Sequence, residues 1–84
     1  MTLTARDRSI IFDEIAEQLS YQPLVEMKNR KPLRPNPIAP WELRIGKLRV
    51  FYEVVSGQPN VVRILAVGKK ERNRLLIGGQ EIDL

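Results

Sequence analysis

Cysteine and histidine are both absent from this sequence of 84 residues. The lack of cysteine excludes disulfides, thiolate metal ligands and a cysteine nucleophile. The lack of histidine excludes a Ser-His-Asp triad and leaves only carboxylates as metal ligands. We therefore expect neither a metal site nor a cofactor.

Long apolar runs are absent as well. No stretch approaches the roughly 20 apolar residues that a membrane-spanning helix needs. The N-terminus lacks the charged and then apolar layout of a signal peptide. We therefore expect no contact with a membrane. The lack of cysteine is compatible with a reducing cytoplasm, which is the location that we expect. The length predicts a single domain, residues 1–84, with a small core.

Positive charge is in modest excess over negative charge. Lysine and arginine together number 14, aspartate and glutamate number 10, and the net charge is +4. The excess indicates an anionic partner, but it does not distinguish RNA, DNA and an acidic protein.

The first periodic stretch follows Thr4. Thr4 and Asp7 have the spacing of a capping box, with aspartate in place of the usual glutamate. The next apolar residues repeat at helical spacing, at Ile11, Phe12, Ile15, Ala16 and Leu19. We predict an amphipathic helix over about residues 5–19, with its apolar stripe packed on a sheet.

Residues 20–40 hold most of the chain's six prolines. Proline at this density disfavours helices and central strands, so we predict a long basic loop over the surface. Four cations in it form a cluster that can neutralise phosphates: Lys28, Arg30, Lys31 and Arg34. The alternative is a solvated loop whose cations bind nothing.

Residues 41–68 predict an antiparallel sheet. Apolar and polar residues alternate on both sides of Gly46-Lys47, a pair that suits a two-residue turn. Counting outward from Ile45 opposite Leu48 gives an apolar face with the pairs Leu43–Val50 and Trp41–Tyr52. The predicted helix should cover this face.

A third strand is predicted at residues 61–67. Counting back from the pair Val55–Val61 places Ile64 beside Tyr52, Leu65 beside Phe51 and Val67 beside Arg49. Residues 69–84 form a tail that starts with cations and closes with a short strand or hairpin. The predicted fold class is α+β: a small antiparallel sheet of three to four strands with an N-terminal helix packed on one face.

The hairpin register also places Arg44 directly opposite Arg49. Like charges across a ladder destabilise a sheet by a few tenths of a kcal/mol or more, so stability alone does not favour this pair. Two guanidinium groups side by side match the geometry of a phosphate or carboxylate, which indicates an anion site. The alternative is that both are solvated arginines that splay apart.

The order and spacing of these motifs closely resemble the RelE/ParE superfamily of bacterial toxins from type II toxin–antitoxin pairs. The motifs are L-R-x-G-x-x-R-V-x-Y, at Leu43, Arg44, Gly46, Arg49, Val50 and Tyr52, and A-V-G-K-K-E-R, from Ala66 to Arg72. The family fold is a small antiparallel sheet with helices on one face. The resemblance implies a toxin that is held by a cognate antitoxin protein.

The RelE branch of the family cuts mRNA on the ribosome and so inhibits translation, whereas other relatives poison DNA gyrase. If the protein is an endoribonuclease, the resemblance implies catalytic roles for Arg44, Arg49 and Lys70. A ribose 2′-hydroxyl attacks its own 3′ phosphate, and cations stabilise the added charge. The candidate base is Glu42 or a lysine with a lowered pKa. Further predicted RNA contacts are Lys69 and Arg72.

The sequence departs from the family in two places. Many RNA-cutting members carry a tyrosine near the position of Leu76, and this chain has leucine there. Family members also begin with a strand and a first helix that this chain lacks. We therefore also expect a truncated member, a misplaced start codon, or an inactive remnant that only binds an acidic antitoxin. An exposed sheet edge would then favour a homo-oligomer or a partner.

Overall fold

A computed structural model describes residues 3–19, 27–57, 61–78 and 80–82. These residues form one helix and a single antiparallel sheet, whose six strands lie side by side in chain order. The elements are α1 (Ala5–Gln18), β1 (Arg30–Pro32), β2 (Trp41–Ile45), β3 (Leu48–Val55), β4 (Val61–Glu71), β5 (Arg74–Ile77) and β6 (Gln80–Ile82). The α+β class is confirmed, but the predicted three to four strands were too few.

Helix α1 begins at the predicted capping box. The Asp7 backbone N–H donates to Thr4 Oγ1 at 3.0 Å, and the Thr4 N–H donates to Asp7 Oδ2 at 3.2 Å. Ile11 and Leu19 are buried against the sheet. The prediction that Phe12 belongs to the packed stripe was wrong, because Phe12 is 70 % exposed. The helix is rotated so that Ile10 rather than Phe12 packs on the core.

The β2–β3 hairpin has the predicted register. Ile45 pairs with Leu48, and the count continues to Trp41 opposite Tyr52. Gly46 has φ +58°, a conformation that a glycine adopts without the steric penalty of a side chain. Arg44 lies opposite Arg49, as predicted.

The β3–β4 register is as predicted only from Val55–Val61 to Tyr52–Ile64. It then shifts by one residue, so the predicted neighbours Phe51–Leu65 and Arg49–Val67 were wrong. The observed pairs beyond the shift are Phe51–Ala66, Val50–Val67 and Arg49–Gly68. The extra residue is a β-bulge, and it lets Val67 pack in the helix-side core while Ala66 packs with Phe51 on the other side.

The proline-rich segment contains a strand that the sequence did not predict. β1 pairs with β2 at the edge of the sheet, with Pro32 opposite Trp41. An edge strand tolerates proline because a backbone N–H that faces outward needs no ladder partner. After β1, residues 33–40, which we name the strap, fold over the sheet face opposite α1, where Ala39 packs against Phe51 and Leu75. The predicted loop at residues 20–26 lies outside the described residues.

The predicted tail is part of the sheet. β4 continues to Glu71, and a two-residue turn at Arg72-Asn73 leads into β5, which pairs with β4. The predicted final hairpin is present as β5 and β6. Gly68 is tightly confined, since a Cβ there would lie 2.7 Å from the Leu76 carbonyl oxygen.

Two apolar clusters lie on opposite faces of the sheet. The helix-side cluster is centred on buried residues of α1, β2 and β3: Ile11, Leu19, Leu43, Leu48, Val50 and Tyr52. The strap-side cluster is smaller, with Ala39, Phe51 and Leu75 buried. In the part of the chain that the structure describes, no helix is long and apolar enough to cross a membrane.

Candidate anion-binding site

Alternation along the strands directs one set of polar side chains to the strap face. Side chains two positions apart along a strand lie on the same face of the sheet. The polar residues that share a face with Phe51 are therefore Glu42 and Arg44 of β2, Arg49 of β3 and Lys70 of β4. Lys31 of β1 lies opposite Glu42. The strand order of the sheet therefore brings these cations to one side of the molecule.

Glu42 lies at the centre of the cations. Its carboxylate oxygens are 3.3 Å from Arg44 Nε, 3.6 Å from Arg49 Nε and 3.9 Å from Lys31 Nζ. Only 7 % of Glu42 is exposed. The carboxylate offsets the repulsion between the two arginines, because it contacts both side chains.

Arg49 is largely committed to the hairpin. Its side chain is 11 % exposed, and Nη1 donates to the carbonyl oxygens of Gly46 at 2.7 Å and Leu48 at 2.8 Å. Burial lowers the pKa of Arg49 below its usual value, Glu42 acts in the opposite direction, and Arg44 lowers it further. Arginine nonetheless stays charged in proteins. Arg49 therefore stabilises the turn and holds Glu42.

Arg44 is more accessible than its neighbour, with 42 % of its side chain exposed. It lines a cleft of about 590 Å³ between the strap and the end of the sheet. The cations of the cleft are Lys31, Arg34, Arg44 and Lys70, and Glu42 is the one carboxylate among the described residues that line it. The cleft can therefore hold an anion with an excess of positive charge around it.

Part of the cleft wall is apolar. Leu33 of the strap, Leu75 of β5 and Ile82 of β6 line it beside the cations. Apolar walls lower the local dielectric constant and strengthen the attraction between the cations and a bound anion. Asn73 adds an amide that can donate or accept a hydrogen bond.

Arg30 lies apart from this cleft although the sequence predicted an RNA contact. It is 3 % exposed, and Nη1 donates to the carbonyl oxygen of Gln18 at 2.5 Å while Nη2 donates to Met27 Sδ. A cation at this position satisfies a carbonyl at the C-terminal end of α1 and interacts favourably with the helix dipole. Arg30 is therefore placed as a helix cap on the opposite face of the sheet.

The remaining predicted contacts do not line the cleft. Lys69 is on the helix side, with Nζ 4.0 Å from Asp7 Oδ2. Lys28 is exposed in the turn before β1, and Arg72 is exposed in the β4–β5 turn next to Asn73. The structure thus brings together Lys31, Arg34, Arg44, Arg49, Lys70 and the candidate base Glu42.

Asn36 and Asn73 line the cleft and were missed by the sequence reasoning. Asn36 stands between two prolines, and an asparagine before proline is typical of a turn. That signal indicated a turn, but it did not indicate that the turn would border the cleft.

The chemistry that the cleft can perform follows from its groups. Both Glu42 oxygens contact cations, so its lone pairs are engaged in ion pairs. In the described ranges no three carboxylates come together in a way that could hold a metal ion. The arrangement can bind a phosphate and stabilise charge that develops on it.

Comparisons of the chain with family models, curated proteins and solved structures found no match.

Proposed function

We propose that this protein is the toxin of a toxin–antitoxin pair of the RelE/ParE kind, that it acts in the cytoplasm, and that it binds the phosphodiester backbone of mRNA in the cleft of Lys31, Arg34, Arg44 and Lys70. The observation that carries the proposal is the convergence of these cations on one face around a single buried carboxylate. Elements from three parts of the chain must come together to build it.

The cations have different roles in this proposal. Arg44 and Lys70 are exposed, so they contact the scissile phosphate and stabilise the phosphorane that forms when the 2′-hydroxyl attacks it. The hydroxyl proton passes to water, the bond from phosphorus to the 5′ oxygen breaks, and the 5′ oxygen leaves with a proton from water. Arg49 acts through Glu42, whose carboxylate it helps to orient. Lys31 and Arg34 contact neighbouring phosphates. RNA binding through phosphates weakens as salt rises, because each contact releases counterions.

The test compares RNA binding by the wild-type protein and by the double variant Arg44→Ala/Lys70→Ala. Fluorescence anisotropy with a labelled single-stranded RNA measures the affinity over a range of salt concentrations. A matched control is Arg63→Ala, which removes a cation whose side chain is 60 % exposed and pairs with Glu53 at the far end of the sheet. Far-ultraviolet circular dichroism establishes that each variant is folded.

We expect the double variant to lose affinity by roughly tenfold or more and to depend less on salt, since two phosphate contacts are gone. The control should bind almost as the wild type does. Bacteria that express the double variant should keep growing and translating, whereas expression of the wild type should arrest growth and inhibit translation. Equal RNA binding by the wild type and the double variant would contradict the proposal.

A second candidate function is supported by Glu42 itself. The cations already hold one carboxylate, so the same cleft suits the acidic segment of an antitoxin. In that case the protein is an inactive remnant that binds its partner without cutting RNA. This candidate would be excluded if the protein inhibits translation and an acidic peptide does not displace RNA from the cleft. DNA damage signalling without loss of translation would instead favour a gyrase-directed toxin.

A further inference from the structure

The side chain of Asn36 makes four hydrogen bonds to the backbone of the strap. Its Nδ2 donates to the carbonyl oxygens of Arg34 at 2.7 Å and Ala39 at 2.9 Å. Its Oδ1 accepts from the backbone N–H groups of Ile38 at 2.8 Å and Ala39 at 3.0 Å. A side-chain amide offers two donors and an oxygen with two lone pairs, so Asn36 uses its full capacity within the strap.

Other features stiffen the same segment. Pro35, Pro37 and Pro40 restrict its backbone dihedrals. The two ends of the strap are joined by a hydrogen bond from the Leu33 N–H to the Pro40 carbonyl oxygen at 2.8 Å. Ala39 is buried against the sheet. The strap is therefore organised before any ligand arrives.

This rigidity matters for Arg34. Asn36 donates a hydrogen bond to the backbone carbonyl oxygen of Arg34. Arg34 lines the cleft with Arg44 and Lys70. A cation that is already in place loses less conformational entropy when it contacts a ligand than one on a mobile loop. Loosening the strap would therefore weaken the contact without removing any charge.

We propose that Asn36 is a positioning residue of the anion cleft, which acts by holding Arg34 where it contacts a phosphate of bound RNA. This inference rests on the proposed function of the cleft. Asn36 supplies no charge and its amide is already engaged, so its effect on binding passes through the backbone of the strap.

The test is a double-mutant cycle with Arg34→Ala, Asn36→Ala and the double variant. Affinity for a labelled single-stranded RNA is measured by anisotropy at several salt concentrations, and the melting temperature of each protein is recorded. A purely structural asparagine would change stability but not the number of phosphates contacted. The slope of log affinity against log salt reports that number.

We expect Asn36→Ala to weaken binding by roughly fivefold and to reduce the salt slope by about 0.7, which corresponds to one lost phosphate contact on a single strand. In the Arg34→Ala background the same change should have almost no further effect, because the contact is already gone. If Asn36→Ala fails to fold, Asn36→Ser replaces it, since its hydroxyl can still accept from the Ile38 N–H.

Two outcomes would overturn the inference. One is an Asn36 variant with wild-type affinity and salt slope, and the other is a loss that adds fully to that of Arg34→Ala. Either result together with weak binding by Arg44→Ala/Lys70→Ala would leave the proposed function intact. Wild-type binding by Arg44→Ala/Lys70→Ala would overturn both.

Discussion

The two faces of the sheet share the same strands but are covered in different ways. On the helix side, α1 packs an apolar stripe on Leu43, Val50 and Tyr52, all fully buried. On the opposite side, the strap covers Phe51 and leaves a cationic cleft beside it. The comparison indicates that the helix side supplies most of the stability. The strap side buries fewer apolar residues and carries the charged side chains of the cleft.

The largest expected effect comes from truncating the helix-side core. Leu43→Ala should lower the free energy of unfolding by about 3 kcal/mol, since it leaves a cavity among fully buried side chains. Leu75→Ala, on the strap side, should cost less because Leu75 borders the open cleft. Urea unfolding measures both values. A larger loss for Leu75→Ala would reverse the proposed division between the faces.

The second effect concerns pH and also lies on the helix side. Burial raises the pKa of Tyr52 to about 12 from its ordinary 10.0, with Arg30 acting in the opposite direction. The unfolded chain therefore ionises this phenol at lower pH than the folded protein does. The stabilisation is present below pH 10 and is lost as the pH rises toward 12, by about 2–3 kcal/mol.

Tyr52→Phe provides the control for this pH dependence, because it keeps the ring that stacks on Trp41 and removes the ionisable group. Urea unfolding at several pH values between 8 and 11.5 should show a steeper loss in the wild type than in the variant. Parallel curves for the two proteins would mean that the Tyr52 hydroxyl ionises as readily in the folded state as in the unfolded chain.

The third effect should have opposite signs for stability and binding. Glu42→Gln removes the carboxylate that three cations contact, so we expect a loss of about 1–2 kcal/mol in unfolding free energy. The cleft then carries one more uncompensated positive charge, and affinity for RNA at low salt should rise. Calorimetry measures the stability of the variant, and anisotropy measures its affinity for RNA. A fall in both stability and affinity would contradict this role for Glu42.

The smallest effect lies in the β4–β5 turn. Arg72 has φ +56°, a left-handed conformation that asparagine tolerates better than arginine. Arg72→Asn should raise the free energy of unfolding by about 0.5 kcal/mol. Its RNA affinity should fall slightly if Arg72 contacts the backbone near the cleft, and thermal unfolding with anisotropy separates the two. Destabilisation by Arg72→Asn would show that the arginine side chain supports the turn.

The sequence predicted the β2–β3 hairpin well because a two-residue turn permits only one register once the apolar face is known. It did not predict the bulge in β4. Residues 64–67 are all apolar, so alternation carries no signal for which of them face the helix. The final hairpin of β5 and β6 was predicted, but the pairing of β5 with β4 was not, since the three consecutive apolar residues of β5 show no strand period.

The adjacency of Arg44 and Arg49 followed from the same register, but their different exposure did not. That difference depends on Glu42 and on the carbonyl oxygens of the turn, which only the folded geometry brings near Arg49. Arg30 was grouped with exposed loop cations because a sequence pattern does not show which helix end a distant arginine will reach.

The central claim is that an RNA strand binds the strap face and not the helix face. Its most direct test is a titration of the isotopically labelled protein with a single-stranded RNA, followed by amide chemical shifts in NMR spectra. We predict shifts at the non-proline residues of 31–36 and at Arg44, Lys70 and Asn73, with α1 unchanged. Shifts concentrated on α1, or no shifts at RNA concentrations that saturate the anisotropy signal, would contradict the account.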